Sequence, residues 1–264
     1  MGRAIFAVVF VGLGILGLVE DNFAPIWQPV PKGVPVRELL VYLCAAVCIA
    51  CGMGLLFRRA ATLASRALLD YLLVWMLLFR VPDVVRAPLT QDPWSGLGET
   101  AVYVAAAWVL YARFANDWDV RYFDWASGER GLRIARVLYG LAMIPFGIAH
   151  FTYINETASF VPAWLPFHLA WAYATGCAYL LAGVAILVQR FARWAAILSA
   201  WQMGLFTLII WVPVVVAGPS AFAWSEFVIS VALTAAGWVV AESYARSPTS
   251  DARIADGTGS MSAL

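Results

Sequence analysis

Hydrophobic side chains make up 63% of the 264 residues and charged ones 12%, a charge content about half of the roughly one quarter usual in soluble domains. Too few charges remain to cover a water-facing surface, so a lipid bilayer is the expected surrounding. The net charge is +1, Lys32 is the only lysine and there is no basic run, which excludes nucleic acid as a main partner.

A helix rises about 1.5 Å per residue, so crossing hydrocarbon takes roughly 20 apolar residues. Eight apolar stretches approach that length: Ala4–Val19, Leu39–Phe57, Ala67–Val81, Ala101–Phe114, Val137–Tyr153, Leu169–Val188, Ala195–Val216 and Phe227–Val240. The expected fold is all-α and integral to the membrane, with eight transmembrane helices arranged as two tandem four-helix bundles. Residues 1–114 form the first module and 134–243 the second. The segment 115–133, with Asp117, Asp119, Arg121, Asp124 and Glu129, is too polar for the bilayer and reads as a cytoplasmic hinge. Residues 244–264 read as a disordered cytoplasmic tail.

Arginines set the orientation, because cytoplasmic segments carry excess Lys and Arg. With the N-terminus inside, Arg3, Arg58, Arg59, Arg66, Arg113, Arg121, Arg130, Arg133, Arg136, Arg190, Arg193, Arg246 and Arg253 fall inside. Only Lys32, Arg37, Arg80 and Arg86 fall outside. The expected location is the inner (plasma) membrane with both termini cytoplasmic. Trp27, Trp94, Trp164, Trp211 and Trp224 would lie at the outer interface, with Trp118, Trp125 and Trp194 at the inner one.

The two halves of the chain align at an offset of about 130 to 135 residues. Arg3 falls on Arg136, Gly14-Ile15 on Gly147-Ile148, Gly52 on Gly183 and Ala60-Ala61 on Ala195-Ala196. Val81-Pro82 falls on Val212-Pro213, Pro88 on Pro219, Trp94-Ser95 on Trp224-Ser225 and Trp108-Val109 on Trp238-Val239. Apolar composition alone does not preserve prolines and tryptophans. With an even number of spans in each half, the repeat is parallel. It also argues that Ala4–Val19 is a true span and no cleaved leader, since its counterpart lies mid-chain.

The second half carries Gly147-Ile148-Ala149-His150-Phe151, then Pro162-Ala163-Trp164-Leu165-Pro166, Gly176 with Gly183, and Arg190-Phe191-Ala192-Arg193-Trp194-Ala195-Ala196. In these motifs it resembles the DoxX-like family of four-helix membrane proteins. The first half matches more loosely through Gly14-Ile15, Gly52-Met53-Gly54-Leu55-Leu56 and Arg58-Arg59-Ala60-Ala61, with Gly17 in place of the histidine. The resemblance implies four-helix modules, some of them subunits or accessories of redox systems that use quinones, sulfur compounds or thiols. A quinone cofactor and a redox partner protein are implied by that resemblance alone. Family members often carry a glutamate in the second helix, where this chain has Cys177-Ala178-Tyr179, so that residue's role does not carry over.

Ionisable side chains within or at the ends of spans are costly in lipid, which marks them as functional candidates. An outer-side polar group comprises His150, His168, Glu226, Glu38, Glu99 and Glu20, and each half is expected to hold an outward pocket beside Pro82 or Pro213. The structural alternative is that helix ends carry polar groups anyway, and that glutamate in a first turn suits the helix dipole. His150, His168 and Glu226 together form a metal-capable set, but no close-spaced ligand pair supports it, so no metal site is assigned. Asp70, with Arg66 one turn earlier, forms either an intramembrane ion pair or a proton relay. Cys44, Cys48 and Cys51 share a helix face and, with Cys177, read as packing residues. No nucleotide-binding or hydrolase motif is present, and whether the chain is itself an enzyme stays open. Three functions follow: an accessory or quinone-linked redox subunit, a small-solute or proton-coupled transporter, or a structural membrane protein without a substrate.

Overall fold

The computed structural model describes residues 2–23, 28, 30, 33–218 and 220–245, and the regular structure among them is entirely helical. In chain order the helices are α1 (Gly2–Val19), α2 (Arg37–Leu56), α3 (Ala61–Trp75), α4 (Val81–Arg86), α5 (Gln91–Phe114) and α6 (Asp117–Tyr122). They continue as α7 (Gly128–Thr152), α8 (Ile154–Ser159), α9 (His168–Leu187), α10 (Ala192–Phe206), α11 (Val212–Ala217) and α12 (Ala221–Ser243). Every apolar stretch of the sequence falls on one of the long helices or on the continuous pairs α3–α4 and α10–α11. Trp27, Lys32, Pro219, Arg246, Arg253 and the tail Ser247–Leu264 lie outside the described residues.

Both continuous pairs widen at the same place. Met76–Arg80 and Thr207–Trp211 are π turns, and the N–H groups of Val81 and Val212 reach back five residues to Met76 O and Thr207 O. Pro82 and Pro213 follow immediately. Proline has no N–H to donate and its ring crowds the carbonyl four residues back, so the ladder loosens ahead of it without breaking. The turns before the second helices also correspond, since Val36 and Phe167 both adopt left-handed backbone, with φ of 51° and 60°.

Small residues set the closest helix contacts. A side chain on Gly52 of α2 would meet Ala7 O of α1 at 2.6 Å, and one on Gly183 of α9 would meet Gly140 O of α7 at 2.8 Å. Gly14 approaches Ala45 O, and Gly147 approaches Gly176 O, in the same way. In lipid, apolar side chains gain little by leaving one apolar neighbour for another, so close van der Waals packing at such small residues selects the pairs.

The helices do not close into two separate four-helix bundles. α7 packs along α5 far more than along α12, and α1 packs along α12. The first helix of each half therefore lies on the last helix of the other. α5 and α12 run side by side through the middle, joined where Tyr103 OH donates to Ile229 O at 3.3 Å. Every residue of α5 from Thr100 to Ala112 is buried. The order of helices along the chain does not fix which last helix closes a module, and here the halves interlock.

Among the described residues, six helical segments are long and apolar enough to cross a membrane: α1, α2, α7, α9, the continuous α10–α11 and α12. The other two expected spans miss for different reasons. The α3–α4 segment carries Arg66, Asp70, Arg80, Asp83 and Arg86. α5 is covered by protein on all sides over its middle, so it needs no lipid-facing apolarity.

The polar segment between the halves is docked. Asn116 caps α6 by accepting from Asp119 N at 3.0 Å, while Asp119 Oδ2 accepts from Asn116 N at 3.0 Å. Asp119 is fully buried, accepts a 3.1 Å bond from Tyr111 OH and is ion-paired to Arg66. The Arg66 guanidinium lies 4.7 Å from the Trp118 ring centre. Two features describe the expected linker over 115–133. A buried carboxylate holds the segment against α3 and α5, and α7 already begins at Gly128. The same contacts bear on the expected Arg66–Asp70 pair, in which Arg66 keeps an electrostatic interaction with Asp70 but gives its hydrogen bond elsewhere. Arg66 turns to Asp119, and Asp70 is exposed with no hydrogen bond or ion pair among the described residues.

Candidate functional site

The first turns of α5 and α12, the end of α7 and the short α8 meet at the end of the bundle opposite the N-terminus, together with the π turn of α10–α11. They enclose a chamber of about 460 Å³, within the size range of small-molecule sites. Glu99 of α5, His150 of α7 and Glu226 of α12 all line it, with Ser95, Ser230 and Tyr179. Aromatic rings supply much of the remaining wall, among them Phe146, Phe160, Phe206 and Trp211.

Thr157, Phe160, Phe206 and Ile210 also line an adjoining slot of about 280 Å³ that runs between α8, α9 and α10. Apart from Thr157, Thr175 and Gln202, the slot is lined by apolar residues, including Val161, Leu165, Trp171 and Leu205. The polar-headed chamber and the apolar slot thus lie side by side, with Thr157, Phe160, Phe206 and Ile210 as common wall.

Local structure fixes the polar groups. His150 Nδ1 lies 2.8 Å from Phe146 O, and its ring sits 5.4 Å from Tyr179 and 6.1 Å from Phe206. A proton on Nδ1 satisfies that carbonyl and leaves Nε2 as an acceptor. Glu99 Oε2 is buried with no hydrogen-bond partner among the described residues. Glu226 likewise has no hydrogen bond or ion pair among them, and it is close enough to Glu99 for the two carboxylates to interact electrostatically. Ser230 is held by Thr207, 2.7 Å between hydroxyl oxygens. At the rim, Tyr153 donates to Asp92 Oδ1 at 2.6 Å, and that bond holds the phenol above its ordinary pKa.

Arg80 approaches Glu99 alongside Gly96, one turn earlier on α5. Its guanidinium is buried and interacts electrostatically with Glu99, and it lies so close to Gly96 that a side chain there would meet Nη1 at 2.5 Å. Around it, Trp75 stacks on Phe79 with ring centres 4.6 Å apart, and Tyr103 is fully buried. Beside Pro82, where the sequence suggests a pocket of the first half, a cavity of about 820 Å³ does occur, lined by Met76, Val81, Pro88 and Trp94 and by α7, but none of the expected ionisable residues lines it. The chamber beside Pro213 takes its second glutamate, Glu99, from the first half instead.

Of the six expected outer-side residues, the structure thus brings together His150, Glu99 and Glu226. His168 opens α9 but does not line the chamber, which separates it from the other members of the metal-capable set. Among the described residues no group of three His, Cys, Asp or Glu side chains is placed to hold a metal ion. Glu20 and Glu38 are exposed, and Asp70 and Arg66 lie away from the chamber. Cys48 and Cys51 are buried, Cys48 Sγ lying 3.9 Å from Tyr71 OH, while Cys177 is exposed. The sequence reading missed Arg80 and the aromatic wall. Arg80 had a signal, being a charge inside the apolar run Met76-Leu77-Leu78-Phe79 that leads to Pro82. The aromatics had none, since a ring lining a cavity and a ring facing lipid read alike.

The fold defines a multi-pass helical membrane protein with a ligand-sized chamber at one end. Residues 131–212, from the start of α7 to the beginning of α11, match the family model described as DoxX. No curated protein and no solved structure matches the chain.

Proposed function

We propose that this is a duplicated, eight-span DoxX-like protein of the plasma membrane, with both termini cytoplasmic, that takes a small amphipathic molecule into the chamber from the outer leaflet. The observation that carries the reading is the convergence of Glu99, His150 and Glu226 in one cavity that adjoins an apolar slot. The polar end of the occupant faces these groups and its apolar part fills the slot. Duplication is supported by the paired π turns before Pro82 and Pro213, the paired left-handed residues Val36 and Phe167, and the matched glycine contacts of α1–α2 and α7–α9. On the same alignment, Arg80 stands where the second half has Trp211, Gly96 where it has Glu226, and Tyr103 where it has Leu233. The ionisable groups of the two halves then serve one chamber, beside Pro213, and the cavity beside Pro82 carries none of them.

The DoxX match favours one class of role, an accessory membrane subunit of a redox system with a soluble oxidoreductase as partner. A quinone cofactor follows from the family resemblance alone, and nothing in the lining of the chamber singles it out as the occupant. The transport reading gains no support from Asp70, which lies apart from the chamber. Purification in mild detergent followed by solvent extraction and mass spectrometry tests the proposal. An amphiphile should co-purify with the wild-type protein and be lost from Ser230→Trp, which fills the chamber. A wild-type protein that carries nothing and is stabilised by no added amphiphile would remove the basis for a ligand-binding function.

A further inference from the structure

We infer that the occupant of the chamber is a cation, an amphiphile with an ammonium-type head held between Glu226 and the aromatic wall and with its tail in the slot. This rests on the reading of the chamber as a binding site and specifies what it binds. The first support is the charge inventory. Glu99, Glu156 and Glu226 line the chamber, and among the described residues no lysine or arginine does. Arg80, which does not line the chamber, interacts electrostatically with Glu99, so one of the two deep carboxylates already has a counter-charge. Glu226 has none among the described residues. An uncompensated carboxylate in a half-enclosed, largely apolar space is costly, and a bound cation removes that cost.

The second support is the wall. Phe146, Phe160, Tyr179, Phe206 and Trp211 surround the space in front of the glutamates, and Phe160 and Trp211 are already 6.3 Å apart as ring neighbours. The π faces of such rings attract a diffuse organic cation, the arrangement by which alkylammonium groups are recognised. A hard metal ion would need three or more converging ligands, which the described residues do not offer. A neutral quinone could take hydrogen bonds from Ser95, Ser230 or Tyr179 but would leave Glu226 without a counter-charge, which a cation supplies. The third support is the apolar slot, which gives a hydrocarbon tail somewhere to go while the head stays with Glu226.

The test uses the full-length protein in nanodiscs and calorimetric titration against empty nanodiscs. The probes are decyltrimethylammonium below its micellar concentration, decanol, decyl sulfate and a short-chain ubiquinone analogue. Saturable binding beyond the empty discs is expected for decyltrimethylammonium alone. Glu226→Gln should weaken it about 30-fold or more, the scale set by removing one partner of a desolvated charge pair. Glu226→Asp keeps the charge and should retain binding within a few-fold, which separates loss of charge from loss of folding. Equal binding of decanol, or an unchanged affinity in Glu226→Gln, overturns the inference. Binding of the quinone analogue that ignores Glu226→Gln overturns it as well and leaves the chamber standing as a ligand site. Failure of all four probes overturns both.

Discussion

Replacing Asp119 by alanine probes how the two halves are held together. The carboxylate is fully buried and serves three donors: the Arg66 guanidinium, Tyr111 OH at 3.1 Å and Asn116 N at 3.0 Å. Removing it deprives two neutral donors of an acceptor at about 1 kcal/mol each. It also strands the arginine, where a fully buried pair would cost about 3–5 kcal/mol. Arg66 is 29% exposed and can rehydrate, which lowers its share, so the expected total is about 3 kcal/mol. Cys48 and Cys51 are buried free thiols, so a thiol-reactive dye reports unfolding on heating in detergent. The midpoint for Asp119→Ala should fall by about 5–10 °C relative to wild type. Asp70→Asn is the control: its exposed, unbonded carboxylate predicts a change within about 0.5 kcal/mol. Arg66→Ala combined with Asp119→Ala should be less damaging than the sum of the two single changes. If Asp119→Ala proves as silent as Asp70→Asn, the segment between the halves is a loose hinge and the docking argument fails.

Gly52→Leu and Gly183→Leu should each abolish monodisperse protein on size-exclusion chromatography. Their first side-chain atom would already sit 2.6 Å and 2.8 Å from a facing carbonyl. Gly12→Ala, which meets nothing within 4 Å, should leave the elution profile unchanged. For topology, a membrane-impermeant maleimide should label cysteines introduced at Tyr122 and Ala245 from one side, and at Leu89, which is 99% exposed, from the other. Labelling of Tyr122→Cys and Leu89→Cys from the same side contradicts the membrane arrangement.

The membrane class, the helical stretches and the DoxX resemblance of the second half were legible in the sequence. Each rests on local properties: the length of an apolar run, a proline after it, a glycine at a fixed spacing. Those properties act within one helix or between adjacent ones, so no knowledge of the tertiary arrangement is needed to read them. Glu99, Glu226 and His150 were legible as candidates for the same reason, each being an ionisable group near the end of an apolar run.

Tertiary structure alone decided which candidates meet. The sequence pairs Arg66 with Asp70 by helical spacing, but the buried Asp119 brings a stronger interaction from beyond the end of α5. It likewise suggests one polar pocket per half, whereas packing of α7 on α5 and α1 on α12 brings the two glutamates to a single chamber and leaves the cavity beside Pro82 without either of them. In lipid nearly every helix face is apolar, so hydrophobic periodicity cannot say which face meets which. Complementarity of small residues and the few polar groups selects the partners, and it exists only once the helices are assembled.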